Sequence, residues 1–252
     1  MNRIPCRSRL AWLCGWTGCL LLLLVPVTQA QETYGKPEDP LAAEALGVQI
    51  RTSNPDEMAF IIKQVLLVNY VKAQSLEATN SEINQFLARK KEVTARSRKE
   101  AEARRDEVEK QLQSQDLPDA DRKQFEGEQQ FLDAMLKAAQ EADKQGNDPK
   151  RAAVESQMAK SLIEQWKVSQ SVYKKYGGRV VYQQVGVEPL DAYHEFFKSA
   201  QKADDFKILN KEFEPAFWSY YTTDSKHRFY PEDESDKVIN TPWWMMDPKP
   251  GQ

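Results

Sequence analysis

The chain has 252 residues, with 35 Lys+Arg against 38 Asp+Glu, two His and three Cys. All three cysteines, Cys6, Cys14 and Cys19, stand in the N-terminal stretch ending at Ala30, so a chain processed there carries no thiol. That excludes a disulfide scaffold, a zinc–cysteine site, an iron–sulfur centre and a cysteine nucleophile.

Arg3, Arg7 and Arg9 form a positive start, Leu10 to Val25 an apolar stretch, and Thr28-Gln29-Ala30 a small-residue ending. This is the order of a secretory signal peptide over 1–30. Pro26 interrupts the leucine run before it reaches the length of a membrane-spanning helix. Removing the leader takes three Arg and no acid, leaving 32 basic against 38 acidic residues, a balance of −6. No later stretch reads as a span, since the most apolar, Met58 to Val71, contains Lys63, Gln64 and Asn69.

Residues 31–54 carry prolines and scattered charges and read as a loosely ordered lead-in, with room for one short helix over Leu41 to Leu46. A helical domain is expected over 55–230. Asn54-Pro55-Asp56-Glu57 is a helix start, because Asn accepts a backbone N–H, Pro fits the first turn and the acids suit the positive dipole end. Met58, Ile61, Ile62, Val65, Leu66, Val68 and Val71 give that helix a wide apolar arc, which predicts burial on several sides.

Thr79-Asn80-Ser81-Glu82 offers a capping box. From Arg89 to Lys110 fifteen of 22 residues are charged, nine basic and six acidic. Glu92/Arg96, Glu100/Arg104 and Asp106/Lys110 have the i,i+4 order of an exposed helix. A break at Asp116-Leu117-Pro118 returns the chain through Phe125, Leu132, Met135 and Leu136, so 80–145 reads as a projecting antiparallel helical arm. About 30 residues per helix make it on the order of 45 Å long.

Asp148-Pro149 starts a further helix, closed by Gly177-Gly178. Arg179 to Val185 is the clearest strand, and Phe206 to Leu209 is its expected partner, giving a small two-stranded element near Val180 and Ile208. Helices follow Glu188-Pro189 and span Phe213 to Tyr221. The tail over 231–252 is acidic and holds Trp243-Trp244. The fold class is therefore mainly α.

The chemistry-bearing residues are sparse. His194 and His227 are the available imidazole bases, and a hydrolase using either is the least favoured reading. Asp224, Ser225 and His227 are neighbours in sequence, which rarely produces triad geometry. No phosphate-loop, dinucleotide, GxSxG or HExxH pattern occurs, and no cofactor or metal site is expected. The basic cluster of the arm exceeds its acids by only three in an acidic chain, which argues against nucleic acid.

The run IIKQVLLVNYVKAQSLEATNSEINQFLARK resembles the helix–turn–helix of SurA-type periplasmic chaperones. Ile61, Ile62, Val65, Leu66, Leu67 and Tyr70 take the apolar positions, and Ser81-Glu82-Ile83 matches the second helix start. YKKYGGRVVYQQ, within Trp166 to Gln184, is similar to the closing helix and strand of such a domain. The resemblance implies a cradle for unfolded outer-membrane proteins. The parvulin module and the usual N-terminal strand pair are not evident, so prolyl isomerase activity is not implied.

The sequence thus reads as an exported, non-catalytic binding protein, periplasmic or extracellular, that holds unfolded or extended polypeptide on apolar helix faces. Phe86, Phe125, Phe131 and Met135 are the candidate polypeptide contacts. The alternative is an adaptor that docks one dedicated partner through its arm or through Trp243 and Trp244.

Overall fold

The computed structural model describes residues 32–144, 148–183 and 186–246; the leader read over 1–30 lies outside them. Where a loose lead-in was expected, the chain forms strands. β1 (Thr33–Tyr34), β2 (Leu41–Ala45) and β3 (Val48–Arg51) precede the first helix. A tight turn joins β2 to β3 through Leu46 and Gly47, at φ of 49° and 82°. β6 (Phe206–Ile208) adds to the other side of β2, so the sheet order is β1-β3-β2-β6. β1 runs parallel to β3, while β2 is antiparallel to both neighbours.

This corrects the expected partner of Phe206 to Leu209. Ile208 pairs with Ala43, and the Leu209 N–H donates to the Ala42 carbonyl at 2.9 Å. The separate two-stranded element is instead β4 (Val181–Tyr182) with β5 (Val187–Glu188). Its approach is fixed by Gly178, at φ 96°, where a Cβ would lie 2.5 Å from the Asp191 Cβ. Only glycine combines that conformation with that closeness.

α1 (Pro55–Ala73) starts as predicted, with the Asn54 side chain accepting from the amides of Asp56 and Glu57. Met58, Ile62 and Leu66 are buried with Ala42, Ala43, Ala45 and Ile50 of the sheet, whose small alanines allow the helix to sit close. The helix is not buried on all sides, however. Phe60 and Val68 are 61% and 51% exposed, so its arc has one face without a partner.

α2 (Asn80–Leu112) spans 33 residues, about 50 Å at 1.5 Å each. Its capping box is complete: Thr79 accepts from the Glu82 amide while Glu82 accepts from the Thr79 amide. α3 (Asp119–Lys144) and α4 (Pro149–Tyr176) return along it in succession. Arg104 meets Glu128 and Arg98 meets Asp143 on the outer part, while Lys90 meets Glu155 and Glu82 meets Lys167 nearer the body. Arg104 also bonds Glu107, so its charge joins the two helices of the arm rather than serving the i,i+4 partner Glu100. The outer arm has a small core of its own, made by Ala101, Val108, Leu132 and Leu136 with Leu112 and Phe125 against them.

The body is completed by α5 (Leu190–Lys202), α6 (Glu214–Thr222) and α7 (Glu232–Asn240). Phe197, Phe206 and Phe217 fill its centre, with ring centroids 5.8 Å and 5.2 Å apart along that chain of contacts. The acidic tail is therefore helical over its first part. Ser235, Val238 and Ile239 are buried, and the Trp166 indole donates to the Ile239 carbonyl at 3.1 Å. With seven α-helices and two small sheets among the described residues, the fold is mainly α. None of the described helices is long and apolar enough to cross a membrane.

Candidate functional site

The unpartnered face of α1 and the facing side of α4 border an open groove of about 940 Å³ that reaches into the body beside β5, α5 and α6. Leu67, Val68 and Val71 line it from α1, Val168 from α4 and Phe197 from α5. Lys72 and Glu77 on one side and Lys160 and Glu164 on the other place charges along it. Ser161 and Gln165 mark the line along which α4 borders the groove. Met158 and Val154 are one and two turns further out on the same line, and are 57% and 62% exposed. Beyond the polar pair Ser161 and Gln165, the same line of α4 thus presents two exposed apolar side chains on the arm.

A group of polar side chains collects at the inner end. Tyr220 of α6 donates to Glu188 Oε2 at 2.6 Å, and Gln183 Nε2 reaches the same oxygen at 2.7 Å. Lys63 of α1 holds its ammonium 4.8 Å from the Tyr221 ring centroid, 5.0 Å from that of Tyr220 and 5.7 Å from that of Phe217. Such placement over ring faces is attractive through the ring quadrupoles. Beneath it, Tyr193 and Ser169 are buried and share a hydrogen bond of 3.0 Å.

Partial removal from water disturbs both charges. Burial lowers the Lys63 ammonium from its ordinary value, against the attraction of Glu188 and Asp56. Burial likewise raises the Glu188 carboxyl above the usual range, opposed by its bond from Tyr220 and by Lys63. Tyr220 is pushed up by burial and by the adjacent Glu188 charge. The group can therefore receive polar parts of a ligand at the inner end of a groove lined by both apolar and charged side chains. Glu188 Oε2 already takes two donors, which fixes that carboxylate in place.

The histidines border this group, with His227 edge-on to Tyr220 at 4.8 Å and its charge acting on Glu188. His194 stacks on Tyr221 at 6.1 Å between centroids and meets Trp218 edge-on at 5.5 Å. His227 Nε2 lies 2.6 Å from the Tyr220 carbonyl. Asp224 binds Arg179 at 2.8 Å, so the sequence neighbours Asp224 and His227 serve different partners.

The expected contact residues do not form one surface. Phe86 is buried at the arm root beside Ala159 and Ile163, and Phe125 packs inside the arm. Phe131 and Met135 are exposed on α3, at 67% and 38%. Trp243 and Trp244 are half-buried and meet Phe86 at 6.1 Å and 5.2 Å; Trp244 also meets Trp166 at 5.5 Å. Gly186 lies under Trp243, where a Cβ would come within 2.7 Å of the indole. The sequence reading missed Lys63, Glu188 and Tyr220 as a group. The one local signal was a lysine inside the most apolar helix.

Among the described residues no cluster of metal-ligating side chains occurs. Comparison with known protein families, characterised proteins and solved structures returned no match.

Proposed function

We propose that this is an exported, non-catalytic binding protein of the cell envelope, chaperone-like, which holds an unfolded or extended polypeptide in the groove between α1 and α4. The observation that carries the reading is an open groove lined by Leu67, Val68 and Val71 of α1 and Val168 of α4, with charges of both signs along it and exposed Met158 and Val154 further out on α4. Exposed apolar surface of this kind is a feature of interaction sites. An unbranched methionine adapts to side chains of different shape, which suits varied clients. Charged rims keep the loaded protein soluble.

The leader-like N terminus supports export, and the periplasm is the compartment in which such a protein would meet outer-membrane proteins in transit. The groove replaces the arm residues Phe86 and Phe125 as the main contact surface, because those two rings pack internally. Phe131 and Met135 remain available to a long client that extends along the arm. The adaptor reading through Trp243 and Trp244 has less support, since both rings lie against the arm root.

The test is suppression of aggregation of a chemically unfolded outer-membrane protein by the purified protein. Suppression is expected at a few-fold molar excess, and Val68→Asp together with Met158→Asp should weaken it. Absence of suppression by the wild-type protein at several-fold excess would remove the proposal.

A further inference from the structure

We propose that Lys63 is an anchor for a carboxylate, so that the groove takes an extended apolar peptide with a carboxylate seated at its inner end. This rests on the polypeptide-binding reading and adds a chemical specificity to it. Lys63 emerges from α1 among Ile62, Leu66 and Leu67, where an ordinary surface lysine would turn its ammonium to water. Instead the ammonium lies over the faces of Phe217, Tyr220 and Tyr221, at 4.8 to 5.7 Å from the centroids. Ring faces attract a cation but do not satisfy N–H donors in the way an oxygen does.

Among the described residues the Lys63 Nζ has no hydrogen-bond acceptor and no ion pair. Glu188 and Asp56 act on it only at longer range. A half-buried ammonium with no oxygen partner thus lines the groove. Partly desolvated charges gain most from a charge-assisted bond to an oxygen anion. Glu188, whose Oε2 is already held by Tyr220 and Gln183, is the other charge at this end and is engaged with those two donors rather than with Lys63. Leu67, Val71 and Phe197 line the channel leading to it, which fits apolar residues preceding the anion.

The carboxylate can be the chain terminus of the client or an Asp or Glu side chain, and the two are separated by titration calorimetry with the intact protein. Three peptides share one apolar sequence: one has a free terminal carboxylate, one a terminal amide, and one a terminal amide with an internal Asp. At least one carboxylate form should bind about tenfold or more tightly than the plain amide. A preference for the first assigns the terminus, and a preference for the third assigns an acidic side chain. Lys63→Met, which keeps the apolar stem, and Lys63→Gln should both bring the preferred peptide down to the affinity of the amide. Equal binding of all three peptides by the wild-type protein would overturn the anchor while leaving the groove reading intact. A preference that survives in both variants would overturn it as well. If no peptide binds at all, the groove reading falls and the anchor with it.

Discussion

The Trp244 indole lies 5.2 Å from the Phe86 ring, centroid to centroid, joining the C-terminal turn to the first turns of the long arm helix. Trp166 of α4 closes the same contact from the other side at 5.5 Å. The root of the arm is thus held by three aromatic side chains from three distant parts of the sequence.

Phe86→Ala removes a ring that is 7% exposed and is expected to cost about 3 kcal/mol, the lower end for truncating a buried aromatic. Trp244→Ala, at a half-buried position, should cost less. Their double variant should cost less than the sum of the singles, because both remove the same contact. Chemical denaturation of the four proteins measures this.

The outer arm should open independently of the body. Val108 is fully buried, but only among arm residues. Val108→Asp places an unpaired charge in that small core, and should raise amide exchange over the outer parts of α2 and α3. Protection in α1, α5 and β2 should stay unchanged. Hydrogen–deuterium exchange resolved by peptide distinguishes the two regions.

The groove-lining carboxyl Glu188 makes stability depend on pH. Its folded value is raised above 4.5 by burial, so folding favours the protonated form. Its contribution is fully present below the unfolded value and is lost as pH rises through the folded value. Wild type should therefore lose stability relative to Glu188→Gln as pH rises from about 4.5 upward. Thermal unfolding of the two proteins across that range supplies the difference. A gap that does not change with pH would contradict the burial of this carboxyl.

At the start of the arm, Glu82 shows the opposite sign. Burial would raise it, but bonds from Lys167 and from Thr79 hold it below the usual range. Its contribution is present above the unfolded value and is lost as pH falls through the folded one. Thr79→Ala removes the capping hydroxyl and should cost about 1 kcal/mol near neutral pH.

The helices were legible because their signals are local. Asn54-Pro55, Thr79 with Glu82, and Asp148-Pro149 each satisfy nearby amides, and the structure uses all three. The strands over 41–51 were hidden for physical reasons. Leu-Ala-Ala-Glu-Ala favours a helix by composition, and the turn after it uses Leu46 at positive φ rather than the Asn or Asp that announces a hairpin. What makes these residues a sheet is pairing with Phe206 to Ile208 far along the chain, together with the cover of α1. The groove was hidden for the same reason. Lys63, Glu188 and Tyr220 come from three elements, and no spacing in the sequence encodes their meeting.

The most direct measurement places a photo-crosslinking side chain at Val68 in the groove and, in a separate protein, at Leu209, which is 44% exposed beside the sheet. Each protein is illuminated with an unfolded outer-membrane protein present. Strong crosslinking from position 68 and little from position 209 is the predicted result. Equal yields from the two positions, or none from position 68, would contradict a polypeptide-binding groove between α1 and α4.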